Sequence, residues 1–132
     1  MTDHVGERFA RALADKDSAG LKALLRPGID FRAMTPTSFW ESNDVDEIVD
    51  QTILGRWFDP ARHITELVAV ETDTIGSLER VAYRFTVDRP DGQFTIEQQA
   101  YYETEGASIA WLRIMCTGYL PLSMDDRVLS RR

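Results

Sequence analysis

Between Arg80 and Leu122 the chain alternates apolar and polar residues in three runs, separated by two turn strings, Arg89-Pro90-Asp91-Gly92 and Glu105-Gly106-Ala107. A period of two marks a half-buried strand, and Pro, Asp and Gly in the gaps mark tight turns. From Arg80 to Asp88, the residues Val81, Tyr83, Phe85 and Val87 take one face. Arg80, Ala82, Arg84 and Thr86 take the other. A turn at 89–92 sets Asp88 opposite Gln93, Phe85 opposite Ile96, Tyr83 opposite Gln98 and Arg84 opposite Glu97. The register is supported by the opposite charges it brings across the polar face. Three long antiparallel strands after a helical first half predict an α+β fold, with a curved sheet wrapped around N-terminal helices to form a cup.

The second turn admits two registers, and a slip of one residue turns every side chain to the other face. A three-residue turn sets Ala110, Leu112, Ile114 and Cys116 on the face of Phe85 and Ile96. A two-residue turn sets Trp111, Arg113 and Met115 there. The first is preferred, because it leaves no unpaired Arg113 in the core. It also leaves Tyr101, Trp111 and Met115 as an apolar stripe on the outer face, which predicts a homodimer through that face.

The first half reads as helices. Val5, Phe9, Ala12 and Leu13 fall at helical spacing, with charged residues between them. Asp17 or Ser18 is positioned to cap a short second helix carrying Leu21, Leu24 and Leu25, which Pro27-Gly28 is expected to stop. Ile29 to Met34 alternates and reads as a short strand, and Thr35 to Ser38 as a loop that also takes in Phe39 and Trp40. A third helix is expected from Ser42-Asn43-Asp44, with Val45, Ile48, Val49, Ile53 and Trp57 on its buried face and Pro60 beyond its end. Ile64 to Ile75 is rich in β-branched residues and ends at a turn, Gly76-Ser77. One domain over residues 1–122 accounts for these elements, and 123–132 reads as a tail with little to bury.

The 132 residues carry a net charge of −7, the wrong sign for a phosphate-binding nucleic-acid partner. Single Cys116 forms no intrachain disulfide, the first residues do not read as a secretion signal, and no apolar run is long enough for a membrane span. A cytoplasmic protein is the expectation. His4, His63 and Cys116 have no metal-ligand spacing, and no phosphate-loop or dinucleotide fingerprint is present, so no metal or cofactor is expected.

Three groups of local strings carry a resemblance: Phe31-Arg-Ala-Met-Thr-Pro36 with Phe39-Trp40-Glu41; Arg56-Trp-Phe-Asp-Pro60; and Glu97-Gln-Gln-Ala-Tyr-Tyr102 followed by Met115-Cys-Thr-Gly118. With the element order they resemble the nuclear-transport-factor-2-like superfamily, in its SnoaL-like subgroup, over Val5 to Leu122. The resemblance implies a cystatin-like α+β cone, shared by ketosteroid isomerases, limonene epoxide hydrolases and polyketide cyclases. It implies an apolar pocket for a hydrophobic, carbonyl-bearing small molecule, polyketide- or steroid-like, and cyclase or isomerase chemistry. The general base of the isomerases aligns with Ala33 or Met34, and the acids of the other enzymes with the region of Leu112, Ile114 and Cys116. Neither carboxylate position is filled, so a non-catalytic ligand-binding or dimerisation module is the alternative.

Tyr83 and Tyr102 are expected to face the cup with Gln98 between them. Each hydroxyl either stabilises a ligand enolate or satisfies a neighbour at the rim. Gln98 on an apolar face needs partners, from the protein or from a ligand. His63, after the third helix, is a pocket-rim acid or base or an exposed loop residue. The catalytic candidates are therefore Tyr83, Tyr102 and His63, and the ligand-binding candidates Gln98, Trp40, Phe39, Met34, Phe85 and Trp57. Asp30 is expected to point outward, and Cys116 to be a small buried hydrophobe.

Overall fold

The computed structural model describes residues 4–122. The proposed tail, 123–132, lies outside them. Among the described residues the chain forms helix α1 (Val5–Ala14), helix α2 (Ser18–Leu24), strands β1 (Leu25–Thr35) and β2 (Ser38–Ser42), and helix α3 (Glu47–Trp57). Strands β3 (His63–Ile75), β4 (Leu78–Arg89), β5 (Gly92–Glu105), β6 (Ser108–Cys116) and β7 (Leu120–Pro121) follow. One curved, open sheet runs in the order β2-β1-β6-β5-β4-β3, with β7 on β5.

The expected β4–β5 register is observed throughout, including Tyr83 opposite Gln98, Phe85 opposite Ile96 and Arg84 opposite Glu97. The second turn is a correction in mechanism. Glu105 pairs with Ser108, so the turn has two residues, Gly106 and Ala107, with Gly106 at a left-handed φ of 65°. A bulge at Ala110 then restores the parity expected of the three-residue turn. Tyr102 pairs with Leu112 and Gln98 with Cys116, and Leu112, Ile114 and Cys116 are buried. A bulge adds one residue to one strand and so flips its faces once more. It keeps Arg113 outside, where its guanidinium meets the Asp30 carboxylate at 3.2 Å.

Three further expectations are corrected. The sheet is mixed, because β1 runs parallel to β6. Pro27-Gly28 does not end α2. The helix gives way at Leu25, which is buried opposite Ile109, and Pro27-Gly28 lies in the irregular stretch of β1 before Asp30 pairs with Trp111. Thr35 to Trp40 is no loop. Thr35 pairs with Ser38 around Pro36-Thr37, and Phe39 and Trp40 lie in β2 opposite Met34 and Ala33. Aromatic residues suit the half-buried surface of a strand, and the free edge of β1 supplies the pairing.

The helices close the concave face. Asp17 caps α2 by accepting the Gly20 N–H at 2.9 Å, and His4 caps α1 through Nδ1. In α3, hydrogen bonds close five residues apart, as from the Phe58 N–H to the Ile53 carbonyl at 2.8 Å. This wider winding aligns Ile48 with Ile53 and Thr52 with Trp57, all buried. It also brings the Asp50 carbonyl to 2.6 Å from where a Cβ on Gly55 would stand, so glycine is needed there. The core joins Phe9, Leu13, Leu21 and Leu24 of α1 and α2 to Phe31, Phe85, Ile96 and Leu112 of the sheet. Edge strand β3 carries two bulges and keeps only Ile64, Leu67 and Val70 against the core.

Candidate functional site

Beyond Cys116 the chain leaves the sheet for three residues before β7 pairs with β5. Gly118 takes a φ of 78° there and packs on Pro36, where an added Cβ would stand 2.6 Å from Cγ. The break opens one end of the cone. A groove of about 500 Å³ lies there, between the β1–β2 turn, the end of α3 and its following loop, Arg89 at the end of β4, and Tyr119. Its lining includes Trp40, Trp57, Ile96 and Cys116.

The wall is built by satisfied backbone. The Tyr119 hydroxyl donates to the Trp57 carbonyl at 2.5 Å, and Arg62 Nη1 donates to the carbonyls of Arg56 and Trp57 at 2.6 and 3.3 Å. These bonds occupy carbonyls left over at the helix end. Lys16, itself at a left-handed φ of 51°, reaches from the α1–α2 turn to the carbonyls of Asp59 and Arg62 at 2.8 and 2.6 Å. Burial lowers its pKa, with the Asp59 charge opposing. Trp40 stands edge-on to Trp57, ring centroids 6.2 Å apart, and its Nε1 donates to Thr35 Oγ1 at 3.0 Å.

Two buried donors have no partner among the described residues: Trp57 Nε1 and Gln98 Nε2. Gln98 is 1% exposed, one step deeper on the inner face than Ile96 and opposite Cys116. Its Oε1 accepts from the Tyr83 hydroxyl at 2.7 Å. An unmet buried donor costs about 1–3 kcal/mol. Trp57 belongs to the groove lining; Gln98 does not, but on the inner face it lies opposite Cys116, which does.

The candidate residues are distributed as follows. Trp40 and Trp57 line the groove, and Gln98, Tyr83 and Phe85 are buried on the concave face. Tyr102 also faces inward, but its hydroxyl accepts the Gly6 N–H at 2.9 Å and lies 3.2 Å from His4 Nδ1. Met34 and Phe39 pair with each other on the outer face, 47% and 61% exposed. His63 is exposed at the start of β3, opposite Asp88, and does not line the groove. Burial drives the Tyr83 pKa well above the ordinary phenol range, with Cys116 adding to it. Burial likewise pushes Tyr102 up to about 12, the Gly6 N–H partly offsetting it. Both hydroxyls stay protonated near neutral pH and act as donors or acceptors of hydrogen bonds, not as bases.

Sequence reasoning passed over Arg62, Arg89, Asp59 and Tyr119 as site residues. Arg56 and Asp59 stand in the string Arg56-Trp-Phe-Asp-Pro60, which was available as a signal. Arg89 and Tyr119 are far away in sequence and had none. Asp30 is exposed and Cys116 buried, as expected. Among the described residues no group of His, Cys, Asp and Glu is arranged to hold a metal ion, and no helix is long and apolar enough to cross a membrane.

No family model matches the sequence, and no curated protein matches it. Solved structures do resemble the fold. An NTF2-like protein from Burkholderia thailandensis E264 superposes with a TM-score of 0.62 at 18% identity, covering 85% of this chain and 87% of that one. A candidate polyketide cyclase from Pseudomonas putida KT2440 gives 0.64 at 10% identity, over 83% and 86%. A protein of ketosteroid isomerase-like fold from Catenulispora acidiphila, solved with trimethylamine, gives 0.60 at 11% identity, over 86% and 85%.

Proposed function

With the nuclear-transport-factor-2-like fold as premise, we propose that this chain binds a small, mostly apolar molecule bearing a hydrogen-bond acceptor, such as a ring ketone of polyketide or steroid type. The ligand sits in the groove with its body against Trp40 and Trp57. Its acceptor takes the N–H groups of Trp57 and Gln98, with Tyr83 holding Gln98 in place and Phe85 packed behind. The observation that carries this reading is the pair of buried, unpartnered donors, Trp57 Nε1 and Gln98 Nε2. A ligand acceptor that reaches either donor would remove its desolvation penalty.

A second reading, cyclisation or isomerisation by proton transfer, draws on the same pair. An amide N–H aimed at a carbonyl oxygen stabilises an enolate. The reaction then needs a base, and the carboxylate in the groove lining is Asp59. In this reading Tyr83 is a positioning residue and Asp59 takes the proton, while Tyr102 and His63 have structural or solvent-facing roles. One probe tests both readings. On titration with 2-acetylnaphthalene, the Trp57 indole and Gln98 amide N–H resonances are expected to shift saturably, and Trp57→Phe to abolish binding. Shifts confined to residues outside the groove would sink the binding reading. Exchange of the probe's methyl protons for deuterium, lost in Asp59→Asn, would establish proton transfer; no exchange would leave a binding protein.

We also propose that the outer sheet face pairs with a second copy of the chain. Phe39, Met34 and Met115 form a row across β2, β1 and β6, and are 61%, 47% and 56% exposed. Tyr101 and Trp111 lie on the same face as Met115, in a part of the sheet that also carries the ion pairs Arg32–Glu41 and Arg113–Asp30. An apolar row flanked by both charges is self-complementary under a two-fold axis. Sedimentation should show a dimer that Phe39→Glu with Met115→Glu converts to a folded monomer. A wild-type monomer at high concentration would end this proposal.

A further inference from the structure

The groove has a charge pattern that narrows the ligand class, on the reading that a small molecule binds there. The chain's net charge is −7, yet the groove lining holds Arg56, Arg62 and Arg89 against one carboxylate, Asp59. Arg89 is committed to Asp91 at 2.7 Å. Arg62 gives Nη1 to the two helix-end carbonyls and lies 5.1 Å from the Tyr119 ring centre, but forms no ion pair among the described residues. Arg56 is exposed and makes neither an ion pair nor a side-chain hydrogen bond among the described residues. Its guanidinium lies 5.3 Å from the centre of the Trp40 ring.

An arginine stacked on an aromatic wall keeps its fork of donors free and its plane oriented, the arrangement that suits a carboxylate. Helix-end neutralisation accounts for Arg62 in part, through its carbonyl bonds, and in part for Arg56, which stands in the last turn of α3; it does not account for the stacking of Arg56 on Trp40, nor for a guanidinium that touches none of those carbonyls. A local excess of positive charge on an acidic protein also steers anions to this end of the cone. The buried Trp57 Nε1 supplies an independent, unmet donor in the same lining. We propose that the groove selects an organic acid: a carboxylate held by Arg56 and Arg62, joined to a flat apolar body that lies against Trp40 and Trp57.

The test compares 2-naphthoate with its neutral methyl ester and with inorganic phosphate, by calorimetry and by the Trp57 indole N–H resonance. At low salt, 2-naphthoate is expected to bind about tenfold tighter than the ester, with the margin shrinking as salt rises. Arg56→Gln is expected to remove most of the margin, so that acid and ester bind about alike, and Arg62→Gln to do so as well. Arg56 is exposed and makes no ion pair or side-chain hydrogen bond among the described residues, so its variant keeps the test decisive if Arg62→Gln is destabilised. Equal binding of acid and ester, unaffected by Arg56→Gln, overturns the organic-acid assignment and leaves the groove-binding reading intact. Phosphate binding as tightly as 2-naphthoate overturns the role of the apolar body. Binding of neither naphthyl probe overturns the assignment and the groove-binding reading together.

Discussion

Phe58→Ala is expected to lower the unfolding free energy by about 3–5 kcal/mol, the cost of emptying a well-packed aromatic site. Phe58 is 0% exposed and follows directly on α3. Its ring meets Phe85 edge-on at 5.7 Å and Tyr119 at 6.3 Å. It therefore joins the end of α3 to the concave sheet face and to the segment that walls the groove. The helix end cannot collapse freely into the hole, because Lys16 holds the following loop by the carbonyls of Asp59 and Arg62. Urea unfolding with an unchanged m-value measures the loss. A loss under about 1 kcal/mol would mean that the site closes on itself, and that Phe58 is not the joint described here. Binding in the groove should weaken in parallel, since Tyr119 loses one of its two aromatic neighbours and is held by Phe94, the flanking arginines and its hydroxyl bond to the Trp57 carbonyl.

The second large effect is a coupling. Tyr83→Phe removes the donor to Gln98 Oε1 and leaves a buried amide with no partner on either atom. The expected cost is about 1–3 kcal/mol. Gln98→Leu removes the amide, including its unmet Nε2, but strands the buried Tyr83 hydroxyl. The double variant leaves neither group and should be close to wild-type stability, well short of the sum of the two single losses. Denaturant unfolding of the four proteins measures the interaction directly. Additive losses would show that the 2.7 Å bond contributes nothing as a pair. The function proposed above adds a second signature. A double variant that is stable yet unable to bind the ketone probe separates the ligand role of Gln98 from its structural one.

The extent to which the chain could be read in advance follows from the range of each interaction. The β4–β5 hairpin was legible because its turn, its alternation and the Arg84–Glu97 pair all lie within one short stretch, and Tyr83 opposite Gln98 followed from them. The helices were legible from spacing and caps, and of the two candidate caps for the second, Asp17 and Ser18, the structure uses Asp17. The second hairpin was legible only in its outcome. Burial of Leu112, Ile114 and Cys116 was favoured by their chemistry, but the bulge at Ala110 that achieves it has no signature in the string itself. For Phe39 and Trp40 the residue types were suggestive and the placement was not. Neighbours on a strand face opposite ways, and only the pairing with β1 decides that Trp40 enters the groove while Phe39 stands outside.

By itself, then, the sequence determined the class of the fold and the concave placement of Tyr83, Gln98 and Tyr102. Each of these rests on local periodicity or on the residue present at a position. The groove was decided only by tertiary structure. Pro36, Arg56, Arg89 and Tyr119 meet there from four separate parts of the chain, because β1 runs parallel to β6 and the chain breaks at Gly118 before returning to β5. Contacts across such separations depend on how strands are ordered and where a strand is interrupted. No pattern within a window of the sequence encodes that order, since it is set by the joint burial of all the elements at once.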